Sequence, residues 1–138
     1  MDSRLTTPFL VLRIGLGLMA TLAGLDKFFN ILANWGAYVS PHAASLLPFS
    51  VGTFMAIVGV IEIAVGLSIL AIAPRLGSYV ASAWLLLVAA NLLLGGYFDI
   101  AVRDVVMSIA AFAVARAIEV QTAAQPEASR NRSPFIAA

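Results

Sequence analysis

Apolar residues in this chain come in long unbroken blocks rather than in alternation with polar ones. They run from Pro8 to Phe29, from Val51 to Ala73, from Ser78 to Gly96, and from Asp104 to Val120. Each block is about the 17–25 residues that a helix needs to cross the hydrocarbon core of a bilayer. A barrel strand would be shorter, and its two faces would alternate. The pattern therefore predicts an all-α fold, a transmembrane four-helix bundle with antiparallel neighbours. Its helices are expected over about 8–29, 51–73, 78–96 and 104–120.

The connections differ in character. Residues 30–50 are long and follow Phe28 and Phe29 with Trp35 and Tyr38, rings that favour the membrane interface. A short interfacial segment between the first two helices is expected there, ended by Ser40-Pro41. The stretches 74–77 and 97–103 are expected to be tight turns. After Gln121 the periodicity lapses and polar residues and proline enter. Residues 1–121 thus form the membrane domain, and 122–138 are expected to be a disordered cytoplasmic tail. Residues 1–23 are expected to remain as a span rather than to be cleaved as a signal, because Arg13 interrupts their apolar run.

Composition narrows the function. The chain is 62% hydrophobic and 11% charged, with mean hydropathy +0.99, so its surface calls for lipid. A net charge of +1 provides no field for nucleic acid. Without cysteine, and with His42 as the one histidine, the sequence offers no thiol catalyst, metal-ligand set or bis-histidine haem site. No metal site, intrinsic cofactor or autonomous catalytic motif is expected. Charge also orients the chain. With both termini in the cytoplasm, Arg4, Arg13, Arg75, Arg116, Arg130 and Arg132 fall inside, leaving Lys27 and Arg103 outside.

Glu62 is the most informative polar position. A carboxylate facing lipid at mid-span costs about 2.5–3.5 kcal/mol on insertion scales. Gly59 and Gly66 share its helical stripe, so a neighbouring helix can approach closely there. Counted from the cytoplasmic end, Glu62 lies about 16 Å deep and Asn91 about 19 Å, while Arg13 lies roughly 8–10 Å deep with a side chain able to climb. Glu62, Asn91 and Arg13 are therefore the candidate ligand-binding or proton-linked residues. Each also has a plainer reading: a structural carboxylate, an interhelical amide, a snorkelling cation. Asp26, Lys27, Arg103 and Asp104 form a candidate outer rim, either an entrance attractive to anions or a balanced solvated edge.

Arg13 with Gly15 and Gly17, Gly24-Leu25-Asp26-Lys27 at the end of the first helix, Gly59-Val60-Ile61-Glu62 with Gly66, and Arg103-Asp104 occur in an order that resembles the DoxX-like family of small four-helix membrane proteins. The similarity covers roughly residues 8–120. It implies an inner-membrane protein acting as accessory or anchor subunit of a membrane assembly, with redox enzymes as associates and quinone as the candidate cofactor. Membrane lipids and a protein partner or second copy are the expected contacts. The alternatives are a quinone-reactive oxidoreductase subunit, with Glu62 handling a proton, and a small transporter or lipid-binding bundle.

Overall fold

A computed structural model describes residues 2–131, with side chains through Pro126. The described residues form five helices and no strand: α1 (Ser3–Asp26), α2 (Pro41–Leu46), α3 (Val51–Leu67), α4 (Pro74–Leu94) and α5 (Phe98–Asn131). A 3-10 turn, Trp35–Tyr38, precedes α2, and α3 continues into a π turn, Ser68–Ile72. Three of these segments are long and apolar enough to cross a membrane: Ser3–Asp26, Val51–Ile72 and Pro74–Leu94. The fourth expected span, 104–120, lies within α5.

Several expected boundaries move. The first helix begins at Ser3, where the Asp2 carboxylate accepts the N–H of Arg4 and caps it, and it ends at Asp26 rather than at 29. The expected turn at 74–77 is absent. Pro74 instead opens α4, where its missing N–H and fixed φ are harmless, so Ala73 alone joins α3 to α4. Residues 122–131 were expected to be disordered and are instead the last turns of α5. Extending a formed helix adds one bond per residue without a new nucleus, although Pro126, inside the helix, withholds one of those bonds. Residues 132–138 of the expected tail lie outside the described residues.

Packing is densest between α4 and α5 and between α1 and α3; α1 also touches α5, and α3 touches α4. The core is small: Leu16, Val65, Ile69, Ala81, Ala111 and Val114 pack together. Glycines set the α1–α3 approach. A Cβ on Gly24 would lie 2.7 Å from the Gly59 carbonyl oxygen, and one on Gly66 would lie 2.6 Å from the Thr21 nitrogen. Both clashes are with backbone, so neither position tolerates a side chain without separating the helices. Gly24 faces Gly59, and Gly17 faces Gly66 and Leu70, so later positions on α1 meet earlier ones on α3.

The helix ends use distinct caps. After α4, Gly96 adopts φ +83° while Tyr97 N–H bonds Leu92 O at 2.9 Å and Gly96 N–H bonds Leu93 O at 3.2 Å. This Schellman arrangement satisfies carbonyls that lipid could not. Ser40 and Ser50 cap α2 and α3 through their hydroxyls.

Candidate functional site

The polar centre of the molecule lies where α1 ends. Asn30 takes the left-handed conformation, φ 53°, and its N–H returns to Asp26 O at 2.6 Å. This reverses the chain tightly. The Asp26 carboxylate then accepts the N–H groups of Ile31 and Leu32, each at 2.9 Å, and the Trp35 indole N–H at 2.8 Å. Trp35 is thereby folded back over Lys27, whose Nζ sits 4.0 Å from the ring centroid. That is cation–π geometry.

Beneath the ring, Lys27 Nζ donates to Glu62 Oε2 at 2.5 Å and to Ala23 O at 3.5 Å. The other carboxylate oxygen of Glu62 accepts the Trp84 indole N–H at 3.4 Å. The Lys27 and Glu62 side chains are 5% and 14% exposed. One carboxylate thus joins α1, α3 and α4. The pair is charge-neutral and hydrogen-bonded, which is what makes a buried carboxylate tolerable.

Sequence depth set Glu62 level with Asn91 and within the climbing reach of Arg13, but the structure separates the three. Arg13 does not reach Glu62. Its Nε donates to Ile69 O at 2.9 Å and its Nη2 to Leu70 O at 2.7 Å. The reason lies in the chain where α3 meets α4. Ala73 N–H skips to Ser68 O, at 3.0 Å, leaving Ile69 O without its usual donor. The next residue is Pro74, which has no N–H to give Leu70 O. Arg13 satisfies both orphaned carbonyls with one planar group.

Asn91 holds the outer segment instead. Its Oδ1 accepts the Ser40 N–H at 2.9 Å, and its Nδ2 donates to Tyr38 O at 2.8 Å. Tyr97 OH donates to Ala37 O at 3.0 Å, and its ring meets Tyr38 edge-on, with centroids 5.0 Å apart. Residues 37–40 are therefore clasped to the end of α4.

The expected outer rim also divides. Asp26 is 7% exposed and Lys27 points inward, so neither is a solvated edge. Arg103 and Asp104 pair with each other at 3.0 Å, the arginine outward and the carboxylate buried. The Lys27 charge is matched by Glu62 rather than offered to an entering anion.

Two polar contacts escaped sequence reasoning. Ser108 Oγ lies 3.0 Å from Ser82 Oγ and donates to Ser82 O at 2.7 Å, fastening α5 to α4. Tyr79 OH donates to Glu119 Oε1 at 3.1 Å, and Arg116 pairs with the same carboxylate. Their one sequence signal was small hydroxyls and charges inside apolar runs. Among the described residues no group of three or more His, Asp or Glu side chains could hold a metal ion. Every described buried side-chain nitrogen or oxygen has a hydrogen-bond partner. No family model, curated protein or solved structure matches this chain.

Proposed function

We propose that the chain is a four-span, antiparallel inner-membrane bundle with both termini in the cytoplasm, acting as a DoxX-like accessory or anchor subunit of a redox-associated assembly. The fourth span in this reading is α5. Its outward stripe of Phe98, Val102, Val106, Ile109 and Phe112 is half or more exposed, while Asp104 and Ser108 are buried on the other side. With Arg103 and Arg116 outward near the two ends of the span, where long cations reach the headgroups, the mid-span face toward lipid is apolar.

The observation that supports an accessory role is the engagement of Glu62. A carboxylate fixed by Lys27 and Trp84 serves to lock three helices, and a locked bundle is what a membrane anchor requires. Quinone chemistry, in this reading, belongs to the assembly rather than to this chain alone. Purification in mild detergent followed by mass spectrometry tests it: a stoichiometric membrane partner is expected. A chain that isolates alone and reduces or oxidises a quinone by itself would overturn the accessory role in favour of a quinone-reactive subunit.

A further inference from the structure

Among the described residues Arg13 has no anionic partner: the ion pairs are Lys27–Glu62, Arg103–Asp104 and Arg116–Glu119. The Ile69 and Leu70 carbonyls, at the elbow where α3 meets α4, give Arg13 dipoles but no compensating charge. Of the five N–H donors of a guanidinium, they use two. An uncompensated charge in apolar surroundings is costly, which makes an external counter-ion favourable.

The same arginine lines a hollow of about 80 Å³ between α1 and α5, walled by Thr6, Phe9, Leu10, Ile118 and Gln121. At about 10–15 Å³ of such space per water, it holds several waters, which admits a small anionic head but not a helix. Its polar lining is one cation, one hydroxyl and one amide, all able to donate to phosphate oxygens. Its apolar rim continues into exposed Leu5 and Leu10, surface suited to a hydrocarbon chain. Arg4 and Arg75 lie at the same end of the bundle, near the starts of α1 and α4, and add positive field.

We infer that this hollow binds the phosphodiester head of an anionic glycerophospholipid from the adjoining leaflet, with Arg13 as counter-ion and Thr6 and Gln121 as further donors. An acyl chain leaves along Leu10 and Leu5 into the bilayer. The site is separate from the Glu62 cluster and does not depend on which assembly the bundle joins.

The test uses the full chain, delipidated in detergent, with melting followed as lipid is added to the micelles. Phosphatidylglycerol should raise the melting temperature saturably, whereas phosphatidylcholine at the same fraction and glycerol 3-phosphate should not. Arg13→Gln alone is a poor variant, because it also strands two carbonyls. The decisive one is Thr6→Val with Gln121→Leu, which keeps the elbow cap. It should melt like the parent without lipid and bind phosphatidylglycerol about tenfold more weakly, the scale of a lost charge-assisted hydrogen bond. Arg75→Gln, outside the hollow, removes only distant field and should weaken binding less than the double variant does. Equal stabilisation by phosphatidylcholine, or by phosphatidylglycerol in the double variant, would overturn the site. Stabilisation by glycerol 3-phosphate would make it an anion site rather than a lipid site, and would overturn the inference as stated.

Discussion

Lys27 Nζ stands 2.5 Å from Glu62 Oε2 and 4.0 Å from the centre of the Trp35 ring, so the one carboxylate of α3 is neutralised by the residue that ends α1. Cα–Cβ bonds tilt toward the N-terminus of a helix. Gly24 facing Gly59 sets the two chains so that Lys27 leans down the bundle and Glu62 leans up. The two side chains converge because of this register.

Glu62→Gln should therefore destabilise the protein by about 3–5 kcal/mol, since it leaves a buried ammonium unpaired. Lys27→Met should cost a similar amount. Combined, the two changes should recover much of the loss, giving a large coupling term in a double-mutant cycle of detergent melting. Additive losses would mean the pair contributes nothing as a pair.

At the elbow, Arg13→Gln should strand the Ile69 and Leu70 carbonyls at about 1–3 kcal/mol each. Arg13→Lys should rescue poorly, because an ammonium lacks the planar fork. Pro74→Ala supplies an N–H to Leu70 O, so adding it to Arg13→Gln should restore part of the melting temperature. No restoration would show that the missing proline donor is not why Arg13 is needed there.

Glycine positions should separate sharply. Gly24→Ala and Gly66→Ala push a Cβ into facing backbone and should lower the melting temperature by many degrees. A Cβ on Gly15 meets nothing within 4 Å, so Gly15→Ala should be neutral or raise stability by about 0.5–1 kcal/mol through helix propensity. Thermal melts of the three variants decide the matter.

Because the chain has no cysteine, topology can be read by single-cysteine labelling. Ser45→Cys and Gln125→Cys should react with a membrane-impermeant reagent from opposite sides of inner-membrane vesicles. Reaction from the same side would remove the four-span reading.

Much of the helical layout was legible because hydropathy records which segments avoid water. What it does not record is how far one helix slides along another. Counting depth from nominal ends set Glu62 level with Asn91 and deeper than Arg13, and left Lys27 in the outer rim rather than beside Glu62. The sliding distance was written elsewhere, in the matched seven-residue spacings Gly17–Gly24 and Gly59–Gly66, which dock face to face. Asn91 was read as an interhelical amide, and it is half-buried. Its partners are backbone groups of residues 38 and 40, and no side-chain pattern announces those. The role of Arg13 was hidden for the same reason. A lost i→i−4 bond before a proline can be inferred only once the π turn is known.

That turn has an evolutionary corollary. A π turn equals one residue inserted into a finished α-helix. In chains descended from a common ancestor with this one, a single deletion within 68–72 would return the segment to α geometry and leave only the one carbonyl facing Pro74 without a donor, instead of two. Arg13, Pro74 and the length of that segment should therefore be inherited as a set, and lineages that lose one should be free to lose the others.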